Sequence, residues 1–289
     1  MAHVIKTETP FTAGQRVFER YYLKRTLGAG GMASVWLAQD RVNERLVALK
    51  FLPSHLASDE KEIERLKVEA SRSPHLAHPN IVQVYDFHRG NHGVALAMEY
   101  VEGWSLWAMR VDKPGQRFPI SEIEPWIRDL CRALDHVHTI GIVHRDVKPD
   151  NLILNARGQL KLADFGLSRA MNPDLPDVGY HRVVGTDFYM SPQQWTGDAP
   201  AVADDVYSVG ATIYELLTGK PPFHDGDIFK QLFEVIPPTV NERLVEFGVR
   251  KPGIPKAWEE TIAACLDKDA TRRPVSARDV AIRLGFVNW

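Results

Sequence analysis

The spacing of apolar residues changes near residue 100, and that change constrains the fold more than any other feature of the chain. Before it, β-branched and aromatic residues cluster in short runs at 21–27, 34–38, 46–51, 81–88 and 94–99, with turn residues between them. Runs of this length read as strands of an antiparallel sheet. One helix interrupts them: Ser58 can cap it, Asp59 and Glu60 suit its first turn, and Ile63, Leu66 and Ala70 recur at helical spacing before Pro74. Beyond Gly103 the period becomes helical. Ser121 and Glu124 form a capping-box pattern ahead of a face made by Ile123, Trp126, Ile127, Leu130, Leu134 and Val137. Residues 205–218 are apolar through Val206, Val209, Ile213, Leu216 and Leu217, and Gly219, Pro221 and Pro222 stop them; Ser276 with Asp279 starts a last helix. The expectation is an α+β chain of two lobes with a cleft between them, a small antiparallel sheet with one helix and a larger, mainly helical part, joined near residues 98–103.

Composition narrows the partners. The 289 residues are 44% hydrophobic, enough for a folded core. Lys and Arg total 35 against 37 for Asp and Glu, so no excess of positive charge marks a nucleic-acid partner. Cys131 and Cys265 lie far apart in apolar helical surroundings and read as two buried structural thiols, not as a disulfide or a zinc site. Residues 1–14 lack both a basic n-region and an apolar h-region, and no apolar run approaches the ~20 residues of a membrane helix. A soluble, cytoplasmic chain with no membrane segment is therefore expected.

Two short stretches carry the chemistry. Residues 144–151 read His-Arg-Asp-Val-Lys-Pro-Asp-Asn, and residues 164–166 read Asp-Phe-Gly. Together they resemble the catalytic centre of a protein kinase. Phosphoryl transfer passes through a loose, highly charged transition state, so a protein mainly positions groups and neutralises charge. Asp146 resembles the carboxylate beside the incoming hydroxyl. Lys148, two residues on, can return to the same side of an extended loop and lie against the γ-phosphate. Asn151 and Asp164 supply hard oxygen ligands for Mg2+, or Mn2+, which is usually shared with substrate phosphates.

Other segments take on meaning beside these. Gly28, Ala29, Gly30, Gly31, Met32, Ala33, Ser34 and Val35 lie between two strand readings, where glycines let backbone amides approach phosphates. Alone, such a string is more often an ordinary hairpin turn, and a dinucleotide fingerprint would open a helix instead. Val47, Ala48, Leu49 and Lys50 resemble the kinase third-strand motif, with Lys50 on the α- and β-phosphates and Glu69 as its partner from the following helix.

The chain thus resembles the eukaryotic-type (Hanks-type) serine/threonine protein kinases, and its 28–35 loop and Ser-Pro-Gln-Gln-Trp segment are most similar to the bacterial branch. The resemblance covers residues 18–286 as one kinase domain, with 1–17 an N-terminal extension, 18–97 the N-lobe, 98–103 the hinge and 104–289 the C-lobe. It implies a bilobal kinase fold and transfer of the γ-phosphoryl of ATP to protein Ser or Thr hydroxyls, in signalling. It implies an ATP site of Leu27, the 28–35 loop, Ala48, Lys50, Met98 as gatekeeper, the backbone of Glu99 and Val101, and Ile153. Thr186 corresponds to the threonine that contacts Asp146 and Lys148, and Asp205 to the helical aspartate that anchors the backbone of His144 and Arg145.

The chain departs from the family pattern in three places. Ala33 replaces the third loop glycine, where a methyl is tolerated at negative φ. Gln193 replaces the glutamate that pairs with an arginine, here Arg273, so restoring the charge in Gln193→Glu is expected to raise the melting temperature. Between Gly166 and Thr186 the only hydroxyls are Ser168 and Tyr180, although Arg145, which commonly receives a loop phosphate, is present. Asp174 or Asp177 could neutralise it, so activation without loop threonine phosphorylation is expected. Two alternatives stand beside an active kinase: a pseudokinase or scaffold, favoured by Ala33 and Gln193, and a small-molecule phosphotransferase of related fold.

Overall fold

The computed structural model describes residues 11–30, 33–52, 60, 63, 64, 67, 70, 76–165 and 187–286. They form two compact units. Unit 1 holds the described residues up to Ala77 with Val82–Val101; unit 2 holds His78–Ile81 and the described residues from Glu102 onward.

Unit 1 is built on a six-stranded antiparallel sheet of β1 (Arg16–Val17), β2 (Tyr21–Gly30), β3 (Ala33–Asp40), β4 (Arg45–Phe51), β5 (Val84–Gly90) and β6 (Gly93–Glu99), in the order β1-β2-β3-β4-β6-β5. Five of these strands fall where the apolar runs place them. The sequence reading misses β1, whose two residues pair with Tyr22 and Tyr21 and are too few to show a period. It also starts β5 too early, because Ile81 makes an isolated parallel bridge to Leu162. Residues 60, 63, 64, 67 and 70 are helical, and Ile63 is buried. Ser58, Asp59 and Leu66 lie outside the described residues.

Register divides this sheet into two faces, because directly opposed residues of paired strands share a side. Trp36, Ala38, Val47, Leu49, Phe51, Ala95 and Ala97 lie on one face and form the core of the unit with Val17, Tyr21 and Leu23. Val35, Lys50 and Leu96 are opposed on the other face, as are Leu37, Ala48 and Met98. At the sheet margin Arg20 grips buried Asp40 with Nε on Oδ1 at 2.8 Å and Nη2 on Oδ2 at 2.7 Å, while its Nη1 reaches Asp86 at 2.9 Å. The guanidinium holds the Asp40 carboxyl well below the usual carboxylate range. A depressed carboxyl stabilises the fold above the unfolded-state pKa of about 3.9 and loses that contribution as pH falls. Asp40→Asn should therefore cost up to about 3–5 kcal/mol at pH 7, and the difference from wild type should shrink below about pH 4 in urea unfolding.

Unit 2 contains a three-stranded antiparallel sheet of β7 (Gly103–Ser105), β8 (Leu152–Asn155) and β9 (Leu160–Leu162). Its helices are α1 (Leu106–Arg110), α2 (Ile120–Thr139), α3 (Pro192–Trp195), α4 (Val202–Thr218), α5 (Ile228–Glu234), α6 (Val240–Glu246), α7 (Lys256–Cys265) and α8 (Ala277–Arg283). All six apolar residues assigned to the inner face of α2 are buried. Its start differs from the capping-box reading: Pro119 is the N-cap, its carbonyl accepts from Glu122 and Ile123, and Glu124 instead pairs with Arg128 at 2.9 Å. Proline at that position presets the entry to the helix, so the Ser121 side chain is not needed there.

Helix α4 is the axis of the unit. Every residue from Asp204 to Thr218 is buried, as expected of a helix covered on all sides. It begins at Val202, three residues before the sequence reading, because the Asp204 carboxylate accepts from the Ala201 amide at 3.1 Å and from Ser191 Oγ at 2.6 Å. Gly219 ends it at φ 86°, the left-handed stop foreseen from the sequence. Gly210 lets α7 close on α4, since a Cβ there would lie 2.5 Å from Cys265 Cβ. Cys131 and Cys265 are free and fully buried, and burial pushes both thiols up, Cys265 to about 12. At α8 the Asp279 amide donates to Ser276 Oγ at 3.1 Å, the cap the sequence foresees.

Gln193 and Arg273 are paired as expected, with Nη2 donating to Oε1 at 2.7 Å. The other end of the amide is also used: Gln193 Nε2 donates to the Lys268 carbonyl at 3.0 Å. Arg273 further donates to the carbonyls of Asp267 and Ala203 at 2.8 and 2.9 Å. A glutamate would gain charge against Arg273 but turn an oxygen toward the Lys268 carbonyl, which offsets the gain. The rise expected from sequence is accordingly revised: Gln193→Glu should change the melting temperature by less than about 3 °C in calorimetry.

Candidate active site

The run at 144–151 is held from beneath by α4. Asp205, fully buried, accepts from the amide of His144 at 2.8 Å and of Arg145 at 2.7 Å. The same carboxylate accepts from His138 Nε2 of α2 at 2.8 Å. Arg145 has φ 66°, a region uncommon for a residue with a side chain and costing about 1–3 kcal/mol unless its surroundings impose it. Those surroundings are visible on both sides of Arg145. Asp205 takes its amide, and Gln194 Nε2 of α3 donates to its carbonyl at 2.7 Å.

His144 joins the two chemically marked stretches. Its Nδ1 accepts from the Asp146 amide at 3.1 Å, so Nε2 carries the proton and donates to the Ala163 carbonyl at 2.9 Å. Its ring meets Phe165 edge-on at 4.5 Å. Asp164 is thereby placed between two anchored neighbours, with φ 65° of its own.

Around Asp146, itself only 9% exposed, the expected partners converge. Lys148 Nζ lies 2.9 Å from Oδ1, and Asn151 Nδ2 donates to Oδ2 at 2.8 Å and to the Asp146 carbonyl at 2.7 Å. The Ala163 amide closes the set on the Asn151 carbonyl at 2.9 Å. With its nitrogen committed to Asp146, Asn151 has its side-chain oxygen left to offer a cation. Among the described residues no group of three or more His, Cys, Asp or Glu could hold a metal. One amide oxygen and the Asp164 carboxylate suit Mg2+, which keeps waters and takes phosphate oxygens for the rest of its shell.

In unit 1 the expected nucleotide residues follow the sheet. Val35, Ala48, Lys50 and Met98 share the face opposite the core, with Lys50 6% exposed. Gly28 pairs with Val35, Ala29 with Ser34 and Gly30 with Ala33, so the described part of the glycine-rich string belongs to the β2–β3 pairing. A Cβ on Gly28 would meet nothing within 4 Å. The fold of unit 1 therefore makes no steric demand for glycine there. Leu27 is half-buried, the Glu99 amide is taken by the Gln83 carbonyl at 2.8 Å, and the Val101 amide has no partner among the described residues. Ile153 sits in β8 of unit 2, opposite Ser105 and Lys161. Gly31, Met32, Glu69 and Thr186 lie outside the described residues, as do Ser168, Asp174, Asp177 and Tyr180.

Two residues of unit 2 escape the sequence reading. His138 is not among the residues of the apolar face and carries no pattern of its own. Gln194 stands three residues after Ser191 in a capping-box pattern that would have announced it: the Gln194 amide donates to Ser191 Oγ at 3.0 Å.

A two-unit fold of this kind, with an Asp-Lys-Asn cluster anchored on a buried helix, matches the pattern of the protein kinase family, and comparison with known proteins agrees. Residues 21–281 match the family model of the protein kinase domain, and the chain belongs to that family. It is 41% identical over 274 residues to the serine/threonine-protein kinase PknB of Mycobacterium tuberculosis, covering 93% of this chain and 43% of that protein. It is 33% identical over 270 residues to the serine/threonine-protein kinase PrkC of Bacillus subtilis, covering 92% and 40%. The chain thus spans about two fifths of the length of these curated relatives. A crystal structure of the Mycobacterium tuberculosis PknI kinase domain shares the fold with a TM-score of 0.73 at 24% identity, covering 96% of this chain and 99% of that one. These relatives place it in the bacterial branch of the Hanks-type kinases.

Asp205 should be the most costly position of the site to truncate. Asp205→Ala would leave the buried amides of His144 and Arg145 without an acceptor, at about 1–3 kcal/mol each, and urea unfolding should show a loss of about 2–6 kcal/mol.

Proposed function

We propose that this chain is an active serine/threonine protein kinase domain that transfers the γ-phosphoryl group of ATP to hydroxyls of protein substrates, acting in cytoplasmic signalling. The observation that carries this reading is the arrangement at Asp146, whose two carboxylate oxygens are held by Lys148 and Asn151 at 2.9 and 2.8 Å on a loop clamped by Asp205. Asp146 orients the incoming hydroxyl and accepts its proton. Lys148 offsets charge on the moving phosphoryl group. Asn151 and Asp164 would hold Mg2+, or Mn2+, whose positive charge neutralises the phosphates when bound.

In unit 1 the hairpin of residues 28–35 covers phosphates with backbone amides, and Lys50 orients the α- and β-phosphates with Glu69 as its partner. Ala48, Val35, Met98 and Ile153 contribute apolar surface to the adenine. Leu27 borders the same face, and the Glu99 and Val101 backbone serves the ring edge. The family pattern gives Thr186 the role of the threonine that serves Asp146 and Lys148. The roles are supported by the pairings of Val35 with Lys50 and of Ala48 with Met98. They also follow the placement of each residue in the family pattern.

The test is transfer of radiolabel from ATP to a generic basic protein. Asp146→Asn keeps the shape of the side chain but cannot take the proton, so the transfer rate should fall by about 10²–10⁴ fold. Equal transfer by wild type and Asp146→Asn would remove the kinase assignment, and binding of nucleotide without transfer by either would favour a scaffold.

A further inference from the structure

We propose that Gln194 is a positioning residue for Asp146, acting through the peptide group that joins Arg145 to it. The inference rests on the reading of Asp146 as the group that takes the hydroxyl proton. Both ends of that peptide are gripped by side chains. Its carbonyl accepts from Gln194 Nε2 at 2.7 Å, and its N–H donates to His144 Nδ1 at 3.1 Å. A backbone carbonyl can only accept, so the contact turns the amide nitrogen of Gln194 toward Arg145. The bond matters because of where it falls. Arg145 sits at φ 66°, and a residue with a side chain relaxes from that region unless its neighbours impose it. Rotation of the peptide would move its carbonyl and N–H together and swing the Cα of Asp146 that follows.

Gln194 is itself fixed from elsewhere. Its amide donates to Ser191 Oγ at 3.0 Å, and Ser191 Oγ donates to Asp204 of α4 at 2.6 Å. The next residue, Trp195, is buried. Asp205 adjoins Asp204, so one turn of α4 holds the Arg145 amide directly and the Arg145 carbonyl by way of Ser191 and Gln194. Lys148 and Asn151 then meet the carboxylate of an Asp146 whose backbone is already oriented.

Gln194→Glu separates positioning from packing. It has the same length and keeps an oxygen toward the Ser191 amide, but it sets an acceptor against the Arg145 carbonyl. In the radiolabel assay kcat should fall about tenfold to a hundredfold, the scale of a small misplacement of a reacting group. KM for ATP and the melting temperature should stay near wild type. The pH profile carries a signature: a protonated carboxyl regains a donor, so the wild-type to variant ratio of kcat should narrow as pH falls toward the carboxyl range near 4–5. Gln194→Met, with neither donor nor charge, should lose kcat without that narrowing, and it carries the test through the split of kcat from KM if the Glu variant does not fold. Wild-type kcat in either variant, a loss that only tracks the folded fraction, or a ratio equally insensitive to pH in both variants would overturn the proposal. An inactive wild type would instead count against the kinase reading itself.

Discussion

The carboxylate of Asp205 is the fixed point of unit 2. It is completely buried on a helix that is itself buried on every side, and it spends its oxygens on two successive backbone amides and a histidine of α2. A buried carboxylate is costly unless its lone pairs are taken up, and here they are taken up by the loop that carries Asp146, Lys148 and Asn151. Stability and the geometry of the candidate site therefore depend on the same bonds. The left-handed Arg145 joins two gripped peptide groups, one held at its amide by Asp205 and the next at its carbonyl by Gln194.

Unit 1 solves a different problem. A six-stranded sheet needs one face for its own core, and the alternation of side chains leaves the other face with Val35, Ala48, Lys50 and Met98. A slip of one residue in the pairing of β4 would turn Lys50 to the core face beside Trp36 and take Leu49 and Phe51 off it. The aromatic and aliphatic side chains of that core thus set the register on which the candidate nucleotide residues depend. The Arg20–Asp40 pair at the sheet margin belongs to the same scaffold and has no part in the chemistry proposed.

Much of this was legible in the sequence, for identifiable reasons. Strands with clean alternation and helices with a full apolar face announced themselves, as did the glycine that ends α4 and the Gln193–Arg273 pair. The two-residue β1 and the true start of β5 did not, because neither has a period to read: one is too short, and Ile81 is drawn away to Leu162. The α2 cap was misread because Ser121 and Glu124 fit a pattern that Pro119 makes unnecessary. In the sequence the Gln193 substitution shows only the loss of a charge. Its second hydrogen bond, to a carbonyl 75 residues along the chain, is a property of folding and not of composition.

Local order in the chain was enough to specify which residue types meet the phosphoryl-transfer problem and roughly which elements carry them. Residues 144–151 hold a carboxylate, an ammonium and an amide within one loop, and chain connectivity alone keeps them close. What folding added was orientation. The tautomer of His144, the left-handed turn at Arg145, the acceptor pair on Asp205 and the reach of Gln194 to the Arg145 carbonyl all join residues between 2 and 61 positions apart. Hydrogen bonds act over about 3 Å, so a linear pattern can nominate their donors and acceptors, but only the packed chain brings them within that distance.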